Sequence, residues 1–201
     1  MTERVRSILE ELRGGLNTPQ LRAIAKRLGR DQALAEELWA TGNRTAGVLA
    51  SFVGDPQKIS RATMDAWAAD FDSWWICDSC AYGLFDRTPY AWAKIRKWAK
   101  DDREFVRRAA FAMIAAIAIH DKAAPDEVFL NALPLIEKYA FDGRNFVRKG
   151  VNWALRNIGK RNSRLRAAAL ECAERVRAQG TTSARWIAAD AIRELKLHAP
   201  R

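Results

Sequence analysis

The amino-acid sequence predicts an all-α protein, an α-solenoid of short helices stacked in pairs. Three observations carry that expectation. Apolar residues recur at three- and four-residue spacing along the chain, Ala is abundant, and no period-two run lies between turn residues. The pattern F-V-R-[RK]-small occurs twice, at Phe105-Val106-Arg107-Arg108-Ala109 and at Phe146-Val147-Arg148-Lys149-Gly150, 41 residues apart. Each copy follows an Asp-containing turn and opens an apolar helix. A period of about 40 residues with two helices per unit is the HEAT-like pattern; no pair buries its apolar face alone, so the pairs stack and curve. The second helix of each pair is then expected to line a concave inner face.

The elements follow from their start and stop signals. Val5, Ile8, Leu9 and Leu12 make the first apolar stripe, which ends at Gly14-Gly15. Thr18-Pro19 reads as an N-cap followed by Pro at the first helical position, where a missing N–H costs nothing. Helices are expected over 31–40, 43–53, 60–71, 73–86, 89–99, 103–120, 125–139, 144–160, 163–178 and 181–196. Pro125 with Asp126 and Glu127 marks one start, with acids where the helix dipole favours them.

Composition bounds the function. Hydrophobic residues are 49% of the 201, with only 11 Gly and 6 Pro, enough for one ordered repeat domain over residues 1–201 and too little breaker content for disorder. The longest uncharged apolar run, residues 109–119, is far shorter than the roughly 20 residues a membrane-spanning helix needs. No apolar leader opens the chain, and three cysteines make no disulfide framework, so the expected setting is cytoplasmic, at the nucleoid when DNA is bound.

The charge is basic and uneven. Lys and Arg number 34 against 24 acids, a net +10. Between Asp142 and Glu171 lie 28 residues with no acid and eight bases: Arg144, Arg148, Lys149, Arg156, Lys160, Arg161, Arg164 and Arg166. Such a stretch asks for an anionic partner, although a solvated basic face is the plainer alternative.

On a wheel of about 100° per residue, Val147, Val151, Ala154, Leu155 and Ile158 gather on the core side of their helix. Lys149, Trp153, Arg156 and Lys160 gather opposite. Trp153 therefore sits among cations, either covered by a neighbour or available as a platform for a nucleotide framed by phosphate-binding side chains. In the helix after Ser73, Trp74, Asp78, Ala81 and Phe85 share one face, while Ile76, Cys80, Gly83 and Leu84 form the core face. Trp74 and Asp78 then lie side by side one turn apart. A carboxylate beside a π face stabilises developing positive charge. Arg108 is expected to project into a groove beside Ala112 and Ala115, where a partly buried guanidinium needs an anion, either a carboxylate such as Asp78 or a phosphate. Cys77-Asp78-Ser79-Cys80 matches C-x-x-C without the βαβ context of a redox site, and Cys77, Cys80 and Cys172 with His120 or His198 lack zinc-ligand spacing. No metal is expected, and the cysteines read as small core residues. His120 reads as a helix-end residue.

Taken together, Asn17-Thr18-Pro19-Gln20-Leu21-Arg22, Leu38-Trp39, Trp74-Trp75-Ile76-Cys77-Asp78, Phe105-Val106-Arg107-Arg108-Ala109-Ala110 and residues 146–156 with Trp153 resemble the bacterial DNA alkylation repair family, the AlkD-like HEAT-repeat DNA glycosylases. The resemblance implies a monomeric, C-shaped solenoid with a basic concave face that grips double-stranded DNA and excises N3- and N7-alkylated purines without a cofactor. By motif it implies that Trp74 and Trp153 flank the lesion's deoxyribose. Asp78 would stabilise the sugar cation and position the attacking water. Arg108 would hold the backbone, joined by Arg148, Lys149, Arg156 and Lys160. Compared with longer relatives the portion before Thr18-Pro19 is short, and an aromatic it supplies to the cleft has no evident counterpart. The family also contains members that bind DNA without excision; a non-catalytic DNA-binding HEAT protein is the alternative function.

Overall fold

Asn17, Asp31, Asn43, Ser60 and Asn162 each start a helix by offering a side-chain oxygen to an otherwise unpaired N–H. In the computed structural model, which describes residues 1–197, the helices of the first half are α1 (Glu3–Glu11), α2 (Thr18–Leu28), α3 (Gln32–Trp39), α4 (Arg44–Val53), α5 (Arg61–Ala69) and α6 (Trp74–Gly83). A 3-10 turn at Phe85–Arg87 leads to α7 (Ala91–Trp98), α8 (Glu104–His120), α9 (Asp126–Leu130), α10 (Leu133–Tyr139), α11 (Asn145–Gly159), α12 (Ser163–Ala178) and α13 (Thr182–Leu197). There is no strand among the described residues, and none of their helices is long and apolar enough to cross a membrane.

The chain divides into two compact units, Met1–Ala91 and Trp92–Arg201. In the first, α2, α4 and α6 pack in order as the second helices of their pairs, and α1 lies against α3. In the second, α8, α11 and α13 form the corresponding row, with α10 against α12 behind it. This is HEAT-like stacking, and the second unit shows its period directly. Its inter-helix hydrogen bonds join residues about one repeat apart: Arg108 to the Phe146 carbonyl, Asn152 to Asp190 and Ser183 to the Asp142 carbonyl, at separations of 38, 38 and 41 residues. The repeated Phe105 and Phe146 themselves meet, their rings 5.1 Å apart.

Three local expectations are corrected. The N-cap of α2 is Asn17, not Thr18: Asn17 Oδ1 accepts from Gln20 N at 3.1 Å while Gln20 Oε1 accepts from Asn17 N at 2.9 Å, a reciprocal capping box. The single helix expected over 125–139 breaks into α9 and α10, because Pro134 has no N–H to continue the ladder and its ring excludes a helical carbonyl four residues earlier. The helix expected over 73–86 ends at Gly83, and Phe85 turns into the core beside Trp67 and Phe71, with centroids at 6.3 and 6.4 Å. Phe85 thus leaves the face it was expected to share with Trp74.

Gly83, the last residue of α6, packs tightly. A Cβ there would stand 2.9 Å from Phe52 Cδ1 and 3.1 Å from the Ser51 carbonyl, so α6 approaches α4 at a distance only glycine allows. At Gly150 a Cβ would meet Arg108 and Phe111 atoms at 3.5 Å, an ordinary contact. Gly83→Ala is therefore expected to destabilise the protein by about 1–3 kcal/mol. Gly150→Ala, in mid-helix, is expected to stabilise it by about 0.5–1 kcal/mol. Urea unfolding of the two variants checks both signs.

Candidate nucleic-acid interface and active site

In the first unit α6 carries two adjacent tryptophans in different surroundings. Trp75 is held: its Nε1 donates to Thr18 Oγ1 on α2 at 3.0 Å, the hydroxyl left available because Asn17 takes the cap. Ile76, Cys77, Cys80 and Ala81 are buried behind it. With that face fixed, Trp74 is left outside, 51% exposed, and Asp78 follows one turn later, half-buried. The indole and the carboxylate are both at least partly open to solvent, whereas Ala81, expected on their face, is buried in the core. Below them, Trp39 stacks on Trp67 at 4.2 Å and donates from Nε1 to Asp70 at 2.9 Å, a rigid aromatic base for the row of second helices.

In the second unit the core side of α11 is as expected, with Val147, Val151, Ala154, Leu155 and Ile158 fully buried. The opposite side is more differentiated than the wheel implied. Lys149 is exposed and makes no ion pair among the described residues. Trp153 is half-buried, its carbonyl accepting from Asn157 Nδ2 at 2.9 Å. Arg156 and Lys160 both pair with Glu194 on α13, and Arg156 also stands 3.5 Å from Asp190. Arg148 lies over the ring of Trp186, 5.0 Å from its centroid. The acid-free stretch is thus partly neutralised by acids one repeat later. Burial pushes the Glu194 carboxyl up, and the opposing bonds and charges of Lys160 and Arg156 bring it below the usual carboxylate range.

Arg108 is buried on α8, as expected, and donates from Nη1 to the Phe146 carbonyl at 2.7 Å, with its guanidinium 6.0 Å from the Phe146 ring centroid. Its stem passes Gly150 on α11 at ordinary van der Waals distance.

A second charged centre escaped the sequence reading. Asp142 is buried and accepts from Arg107 Nη1 at 2.6 Å, Arg144 Nη2 at 2.6 Å, Arg144 Nε at 3.0 Å and Arg144 N at 3.1 Å. Asp101 and Arg103 make the same clasp one repeat earlier, with the backbone N and Nε bonds both at 2.9 Å. The signal was available: Asp-x-Arg recurs at the 41-residue spacing of the phenylalanines.

The cysteines are free and buried. Burial holds the Cys80 thiol far above its ordinary value and Cys172 up to about 12, so neither presents a thiolate at neutral pH. No cluster of three or more His, Cys, Asp or Glu among the described residues is placed to hold a metal ion; His198 lies outside them.

Comparison with known proteins agrees with the fold and the motifs. No curated protein matches the chain. A solved structure that superposes with a TM-score of 0.70, at 22% identity over 87% of this chain and 77% of its own, belongs to a new family of proteins related to the HEAT-like repeat DNA glycosylases, with affinity for branched DNA structures. Residues 11–195 match the profile of the DNA alkylation repair enzymes, nearly the whole length that carries the helical pairs, and the chain belongs to that family.

Proposed function

We propose that the protein hydrolyses the N-glycosidic bond of cationic N3- and N7-alkylated purines in duplex DNA. The observation that carries this reading is the α6 pair: an exposed indole and a carboxylate one turn apart, on a helix anchored through Trp75, in a DNA alkylation repair chain. An alkylated purine leaves as a neutral base without a general acid, because its positive charge already draws the bond electrons. As the C1′–N bond breaks, its electron pair goes to the purine and positive charge spreads over C1′ and the ring oxygen. Asp78 opposes that charge by Coulomb attraction and Trp74 by its ring quadrupole. A water oxygen then bonds to C1′ and gives up a proton, leaving an abasic sugar.

The duplex is held by cations. Lys149 is the exposed cation of α11, whereas Arg156 and Lys160 reach a phosphate only in competition with Glu194. Arg148, beside Trp186, joins Lys149, while Trp153 offers a second indole and Arg108 braces the start of α11.

The reading is tested by single-turnover release of N7-methylguanine from a duplex at neutral pH, with spontaneous depurination as baseline. Release well above baseline supports excision. Salt-dependent binding with baseline release assigns the protein to non-catalytic DNA binding instead. In the same duplex, Lys149→Ala is expected to lower the slope of log K against log salt by about one. An unchanged slope would remove Lys149 from the interface.

A further inference from the structure

In the first unit the C-terminal ends of α2, α4 and α6 surround a cavity of about 290 Å³. Phe52 and Gly83 are its buried floor, and Arg22, Lys26, Arg30 and Arg87 stand around it; no carboxylate is in its lining. We propose that this cavity is a phosphate-binding site, independent of the α6 indole–carboxylate pair and of the excision reading.

The cations are placed rather than merely gathered. Arg22 lies over the Phe52 ring, 4.6 Å from its centroid, which fixes one guanidinium against the floor. Arg87 donates from Nη1 to the Gly83 carbonyl at 3.0 Å. Gly29, with φ at 74°, turns the chain out of α2 so that Arg30 donates to the Gly54 carbonyl at the end of α4. These bonds tie the side chains to backbone, so an anion that enters meets donors whose ordering entropy is already spent.

Helix C-termini favour cations, and Arg30 and Arg87 answer two such ends. That does not account for Arg22 and Lys26, which lie back along α2 and make no hydrogen bond or ion pair to a protein acceptor among the described residues. Arg30 and Arg87 also repel each other: burial first, then the Arg87 charge, loosens the Arg30 proton, and Asp55 and Asp86 offset this in part. A polyanion in the cavity relieves that repulsion. The volume lies at the small end of ligand pockets, which run from about 300 Å³ upward, and suits a phosphate or diphosphate rather than a whole nucleotide.

The phosphate comes either from a nucleic-acid strand or from a free phosphate-bearing molecule, and one experiment separates them. Inorganic pyrophosphate is titrated into the full-length protein while the Gly29 and Gly83 amides are followed by ¹⁵N–¹H spectra, then into a complex with fluorescent duplex DNA at constant ionic strength. A saturable shift at both amides is expected, with the Kd raised about fivefold in Lys26→Gln and further in the Arg22→Gln/Lys26→Gln double variant. Release of duplex by pyrophosphate assigns the site to a strand phosphate; binding without release assigns it to a free anion. Absence of a saturable shift, or the same Kd in wild type and Lys26→Gln, overturns the proposal. Excision activity enters neither readout, so loss of that reading leaves the result intact.

Discussion

Asp78→Asn is expected to lower single-turnover release of N7-methylguanine by about 10²- to 10³-fold, the range seen when one transition-state electrostatic partner is removed, while duplex affinity stays within about twofold. Asparagine keeps the size of the side chain and one oxygen, so the substitution isolates charge. The effect is large because Asp78 is half-buried on α6, where water screens its field less than at an open surface. Trp74, 51% exposed, has less to give. A cation–π contact at an exposed position is worth about 0.5–1 kcal/mol, so Trp74→Ala should slow release only about two- to fivefold. That ordering separates the reading from a structural one. If Asp78 merely braces α6, Asp78→Asn would lower the melting temperature and weaken duplex binding as much as release. Unchanged melting and binding with lost release places its role in the reaction.

Much of this was legible because the repeat is periodic. The 41-residue spacing of Phe105 and Phe146 predicted a stack, and the two rings touch; the wheel of the Trp153 helix predicted which residues are core, and all five are buried. What escaped was whatever depends on a neighbouring repeat. The eight bases between Asp142 and Glu171 look unopposed along the chain, yet Glu194 and Asp190 face Arg156 from α13, 38 and 34 residues away in sequence. Side chains on stacked helices find partners one repeat on, so a linear charge count overstates the open cation surface. Phe85 illustrates the other limit. A wheel extrapolates a helix past its end, and α6 ends at Gly83, where the chain turns and carries Phe85 into the core. The Thr18 hydroxyl, read as a cap, instead orients Trp75, and through it the outward face of α6.

The clasp at Asp142 should dominate the acid stability of the second unit, while its twin one repeat earlier contributes little. Both carboxylates take an Arg two residues on, but the Asp101 side chain is 24% exposed and the Asp142 side chain 5%, and only Asp142 also holds the 11%-exposed side chain of Arg107. Asp142→Ala leaves the buried Arg107 only the exposed Asp102 carboxylate at 3.2 Å and is expected to cost no more than the lower end of about 3–5 kcal/mol. Asp101→Ala breaks a surface pair and should cost no more than about 1 kcal/mol. Burial alone pushes the Asp142 carboxyl up; the hydrogen bonds from Arg144 and Arg107 more than reverse this and bring it from 3.8 to about 2. A carboxyl lowered on folding stabilises the protein above its unfolded value and loses that contribution as pH falls through the folded one. Between pH 4 and pH 2 the wild type should therefore lose about 2 kcal/mol through this group. Asp31, Asp72, Asp101, Glu127 and Glu194 are also lowered by their partners, so acid destabilises every variant, and the diagnostic quantity is a difference. Urea unfolding of wild type and Asp142→Asn at pH 7, 4 and 2 supplies it. The gap in stability should be widest at pH 7 and narrow toward pH 2, where the wild-type carboxyl is itself becoming neutral. A gap independent of pH would mean that the clasp holds the turn by shape and hydrogen bonding, with no contribution from its charge.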